Sequence, residues 1–151
     1  MGWITPVYDR TVADVEYALT KIQEWKEVGA TNTSDLKGCF NLSDMNRIEN
    51  NIKYLSDTLT DLYYFPTESV VTKTWDRTGL PTVTDINRLI QGIRIIISSY
   101  YPPTNAPELP TTLISIEDVN SIERNLYRIK VILDNMLLSI RECDTFYCGE
   151  E

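Results

Sequence analysis

Histidine is absent from this 151-residue chain, and that gap alone removes a large part of enzyme chemistry. Without an imidazole there is no Ser-His-Asp or Cys-His nucleophile system, and no Glu-x-x-His ligand set of the kind that builds di-iron sites inside four-helix bundles. Glycine is scarce, with 6 residues, none arranged as Gly-x-Gly-x-x-Gly or as a P-loop, so no nucleotide cradle is expected. The cysteines, Cys39, Cys143 and Cys148, are an odd number. Cys143-x4-Cys148 lacks both a histidine and a second thiol pair, so structural or incidental thiols are expected, the alternative being a metal or redox pair. Basic residues are outnumbered, 14 Lys and Arg against 22 Asp and Glu, for a net charge of −8. Such a chain offers no footprint for a phosphate backbone, and nucleic acid is not an expected partner. Long apolar runs are missing as well: the stretch around Ile95 to Ile97 is interrupted by Arg94 and Ser98, and the opening Met-Gly-Trp-Ile-Thr-Pro lacks a basic region. Neither a membrane span nor a signal peptide is expected, and no cofactor or metal is.

What the chain does contain is one helix-start signal written four times. Thr11-Val12-Ala13-Asp14, Asn41-Leu42-Ser43-Asp44, Thr82-Val83-Thr84-Asp85 and Ser115-Ile116-Glu117-Asp118 each read as an N-cap, an apolar residue, a polar or small residue, and Asp at the third helical position. The cap oxygen can accept from an orphan amide and the Asp can reach back to the cap. Behind the caps lie Val15, Ala18, Ile22 and Trp25; Met45, Ile48, Ile52 and Leu55; Ile86, Leu89, Ile93 and Ile96; and Val119, Ile122, Leu126 and Ile129. All sixteen positions are apolar in a chain that is 42% hydrophobic, a coincidence of roughly one in a million. Tyr17, Leu19, Tyr54, Ile90, Ile95 and Tyr127 widen the apolar face, which favours a globular core over a bare coiled-coil rod.

The seven prolines fall outside these segments, and only Gly92 of the glycines falls inside one. Helices are therefore predicted near 12–28, 42–62, 83–100 and 116–141, as a single all-α domain over 1–151: a four-helix bundle of four capped helical repeats. Asp44 with Arg47, Asp85 with Arg88, and Glu49 with Lys53 have the spacing of helix-surface ion pairs. The linkers 30–40, 63–81 and 101–114 exceed the short links of an up-down bundle. Each is long enough to run back along a helix, which leaves parallel and antiparallel neighbours both open. Val70 to Thr74 has the composition of a short strand, with Trp3 to Tyr8 as its candidate partner, and 101–114 reads as polyproline-like backbone. Tyr63, Tyr64, Phe65 and Trp75, with Tyr100 and Tyr101, either cover the ends of the bundle or form a docking interface.

Two polar sets remain. Asn46, Asn87 and Asn120 recur at one position just outside the seam, where Glu16 stands in the first repeat, and a side-chain amide there can clamp backbone or meet a ligand. Glu16, Glu49 and Glu123 lie beside the seams; the expectation is solvated ion-pair roles, and the alternative is carboxylate chemistry.

The stretches Pro6 to Val15 and Leu36 to Leu55, with Lys73-Thr74-Trp75 and Leu80 to Arg88, resemble small helical proteins encoded by tail and structural modules of bacteriophages and prophages of Gram-positive bacteria. The similarity covers residues 3–100; the last helix, with Ser121 after Asn120, fits less closely. The resemblance brings no catalytic residues. It implies a non-enzymatic assembly protein of virion or tail, located there or in the host cytoplasm during assembly, whose partners are other phage structural proteins or its own copies. The alternative is a soluble adaptor for a bacterial host protein.

Overall fold

The computed structural model describes residues 2–29, 35–66, 68–100, 105–113 and 115–145, with side chains of the last helix described as far as Ser139. Its regular structure is four α-helices: α1 (Val12–Glu27), α2 (Leu42–Asp61), α3 (Val83–Ser99) and α4 (Ile116–Thr145). Among the described residues the fold is all-α with four helices, as expected, and α4 continues past the predicted end at 141.

Each helix begins at its cap. The Thr11 hydroxyl accepts the Asp14 N–H at 3.3 Å while Asp14 Oδ2 accepts the Thr11 N–H at 2.8 Å. Thr82 with Asp85 and Ser115 with Asp118 make the same exchange. At α2 Asp44 again accepts the cap N–H, but the Asn41 amide turns back and donates to the carbonyls of Leu36 and Cys39. It thereby ties the preceding loop to the helix start.

Three of the four stripes form the core. Every stripe residue of α2, α3 and α4 is buried, joined by Leu59, Ile90, Leu133 and Trp75. Full burial of each such side chain stabilises by about 1.5–3 kcal/mol. In α1 only Ala18 is buried, with Val15, Ile22 and Trp25 half-buried and Tyr17 and Leu19 exposed. Among the described residues α1 packs on no other helix. The reason is closure: three seams facing one axis already exclude water from the interior, and a fourth has no apolar surface left to meet. Instead α1 lies against the loop before α2. Gly38 comes so close that a Cβ there would sit 2.0 Å from the Asp14 carbonyl oxygen.

Side-chain contacts settle the helix directions. Glu49 on α2 binds Arg88 on α3, and one turn further on Gly92 lies against Ile52. Glu123, at the same level of α4, binds Arg47. At the far end Tyr64 meets Tyr100, whose hydroxyl donates to Met136 Sδ. The three core helices therefore run parallel, and the chain between α2 and α3 and between α3 and α4 must return along the bundle. Gly92 allows α2 and α3 to approach, since a Cβ there would already touch Ile52 at 3.3 Å.

The strand expected at Val70 to Thr74 does not form, and no strand occurs among the described residues. Residues 2–10 and 68–75 are extended but lie apart on either flank of α2, each bonded to helix side chains rather than to the other. Both run from the middle of the bundle toward its N-terminal end, antiparallel to the helices. So does the stretch from Pro107, bonded to Asn125, to Leu113, which packs on the core near the start of α4.

Candidate functional site

Glu49 and Glu123, expected in solvent, are buried, at 3% and 0% exposure. Each occupies the same position of its helix and carries the same duty. Glu49 Oε2 accepts from the Lys73 N–H at 3.1 Å and from Arg88 Nη1 at 3.0 Å, while Oε1 accepts from the Trp75 indole at 3.0 Å and from Arg88 Nη2. Glu123 Oε2 accepts from the Val7 N–H at 2.7 Å and from Arg47 Nε at 2.8 Å, while Oε1 accepts from Arg10 and Arg47. A carboxylate offers about four acceptor directions, and in both residues these are filled. Neither carboxylate has a lone pair free for a substrate proton. The surface pairs expected of Glu49 with Lys53 and of Asp85 with Arg88 are replaced by Glu49 with Arg88 and Lys53 with Asp57.

The Glu123 cluster balances two cations against two anions. Arg10, 5% exposed, reaches Asp44 at 2.7 Å and Glu123 at 3.1 Å, and Arg47 binds the same two carboxylates. Burial draws the Arg47 guanidinium down, and the hydrogen bonds and charges of Glu123 and Asp44 more than reverse this, so it stays charged throughout the working pH range. Arg88 is raised by its hydrogen bond to Glu49. Such groups hold the fold in place. Losing one member leaves its partners buried and uncompensated.

The repeated asparagines divide. Asn46 exchanges two hydrogen bonds with the backbone of Trp75, and Asn120 does the same with Arg10. Asn87 is exposed and makes no such pair among the described residues. Asn51, which the repeat did not single out, clamps Ile4 in the same way, and Asn125 donates to the Pro107 carbonyl. A signal was present: Asn46-Arg47-Ile48-Glu49-Asn50-Asn51 and Asn120-Ser121-Ile122-Glu123-Arg124-Asn125 share Asn-x-Ile-Glu-x-Asn, whereas α3 has Ile90 and Gly92 at the Glu and second Asn positions. Glu16 is exposed.

Trp75 belongs to the core at 5% exposure, which removes it from the candidate interface. Its indole N–H is held by Glu49, and Lys73 Nζ lies over its ring at 3.9 Å. Tyr63 and Phe65 stand out at 83% and 64% exposure, Tyr64 is exposed, Tyr100 is half-buried, and Tyr101 lies outside the described residues. The thiols of Cys143 and Cys148 also lie outside them. Cys39 is half-buried, and burial, then the Asp44 charge, pushes its thiol up, away from nucleophilic use.

A groove of about 670 Å³ crosses the outer face of α2 between Ile4 and Thr72 to Thr74. Its polar floor is already engaged: Asn46 with Trp75, Asn50 with the Gly2 carbonyl, Arg47 with Glu123 and Lys53 with Asp57. Among the described residues no group of three or more His, Cys, Asp or Glu side chains is placed to hold a metal, and no helix is long and apolar enough to cross a membrane. Comparison with protein families, with curated proteins and with solved structures finds no match to this chain.

Proposed function

We propose that this chain is a non-enzymatic structural or assembly component of a bacteriophage or prophage tail module, acting through protein–protein contacts. The kinship rests on the sequence resemblance over residues 3–100. The observation that carries the non-enzymatic reading is the saturation of Glu49 and Glu123, the carboxylates most suited to acid–base chemistry, by the chain's own backbone and arginines. A bundle whose buried Glu49 and Glu123 and clamping asparagines fasten extended segments is a rigid platform, and it leaves Tyr63 and Phe65 exposed at one end.

The test is to probe purified particles of the encoding phage or induced prophage with antiserum to the chain, and to count complete tails when Tyr63 and Phe65 are both changed to serine. Presence in particles and a loss of complete tails are expected. A chain found with a host protein and never in particles or assembly intermediates overturns the reading in favour of the adaptor.

A further inference from the structure

We infer that the end of the bundle where α2 and α3 finish is a docking surface for a lysine- or arginine-bearing segment of a partner protein, with the rings of Tyr63 and Phe65 receiving its cations. This deepens the protein-contact reading above and rests on it.

The rings are held ready. Tyr63 and Phe65 meet edge to face at 6.3 Å, and beside them Tyr64 packs edge to face on Tyr100 at 5.0 Å. Tyr100 is anchored in turn by its hydroxyl on Met136 Sδ at 3.1 Å. Two rings thus brace the end of the bundle while two present area to solvent with few torsions left to freeze on binding.

The backbone at this point works against the residue it carries. α2 closes with the Tyr64 N–H on the Leu59 carbonyl at 2.9 Å and the Tyr63 N–H on the Thr60 carbonyl at 3.0 Å, a turn that places Tyr63 at φ 65°. Glycine or asparagine suits that left-handed position, and a bulky ring does not. Stability does not account for an exposed tyrosine there; contact with a partner does.

Charge selects the partner. A lysine or arginine in the last turn would offset the negative end of a helix, yet α2 and α3 have no basic residue there. Because the two run parallel, the negative ends of both dipoles fall at this end. Asp61 and Glu68, both exposed, flank the rings in sequence, and residues 54–66 and 95–100 contain no Lys or Arg. Ring faces are themselves electronegative. An acidic segment would be repelled, and a neutral apolar one would leave the dipole ends and both carboxylates uncompensated.

The experiment is an amide-resolved NMR titration of the full chain with three synthetic peptides of equal length, alternating leucine with arginine, glutamine or glutamate. The arginine peptide is expected to shift resonances of residues 61–65 and 98–100, and to weaken as salt rises from about 50 to about 500 mM. Y63S with F65S should weaken it at least tenfold. Y63G, which suits the turn, should weaken it with the melting temperature raised, so lost binding is separable from lost folding. Equal binding of the glutamine peptide, or an arginine peptide mapping to another acidic face, overturns the inference. If a neutral or acidic peptide maps to this end instead, the cationic partner is wrong while the docking surface stands. If no peptide maps there and the double serine variant assembles complete tails, both fail.

Discussion

Asn46 and Trp75 hold each other in both directions, the Trp75 N–H donating to Asn46 Oδ1 at 2.8 Å and the Asn46 amide donating to the Trp75 carbonyl at 3.0 Å. A side-chain amide has the same donor and acceptor as a peptide unit, so a helix can offer an extended segment what a neighbouring strand would. Arg10 on Asn120 and Ile4 on Asn51 repeat the device. This is how extended backbone lies against a helical core without a sheet.

Asn46→Ala should therefore cost about 2 kcal/mol, since it leaves the Trp75 N–H and carbonyl without their partner. Asn87→Ala, at the matching position of α3, should be neutral or slightly stabilising, as alanine is the better helix former. Denaturant unfolding of both variants checks this, and equal losses would remove the clamp as the explanation.

Removing one charge from the buried cluster should do more harm. Glu123→Gln leaves Arg10 and Arg47 facing Asp44 alone, and a loss of about 3–5 kcal/mol is expected. Lys53→Gln, which breaks only an exposed pair with Asp57, should change stability by less than about 0.5 kcal/mol.

Gly38→Ala should detach α1 and spare the core. Its Cβ would meet the Asp14 carbonyl, and overpacking of this kind costs about 1–3 kcal/mol. Hydrogen exchange should show residues 12–27 losing protection while the buried stripes of α2, α3 and α4 keep theirs. Global unfolding at the same low denaturant would mean that α1 is integral to the core.

Tyr63→Gly should raise stability by about 1 kcal/mol by relieving a ring-bearing residue at φ 65°. An unchanged or lowered denaturation midpoint would show that the rings of Tyr63 and Phe65 contribute more to the fold than the turn costs.

Acid should loosen the helix starts. Hydrogen bonds from Thr11 hold Asp14, and hydrogen bonds from Thr82 hold Asp85, below the ordinary carboxylate value of 3.8. A carboxylate whose folded value lies below its unfolded one stabilises the fold above the unfolded value and loses that contribution as pH falls through the folded one. Melting temperatures measured from pH 7 down to pH 2 should drop below about pH 4, and Asp85→Asn should drop less. An identical acid limb in the variant would assign the loss to other groups.

Sequence alone was enough to locate the four helix starts, the ends of the first three helices to within one residue, and the four apolar stripes, because caps and heptads are recorded within a few turns of one helix. It could not say that the α1 stripe stays outside: one periodicity serves a buried seam and a half-covered one alike, and which of four seams meet is a matter of how many fit around an axis. Nor could it give the parallel helix directions, the burial of Glu49 and Glu123, or the role of Arg10. Those depend on partners such as Val7 and Glu123, 116 residues apart, and a pairing at that distance leaves no local pattern to read. Only the packed chain brings the two together, and there the desolvation of a carboxylate is offset by the arginines and amides that converge on it.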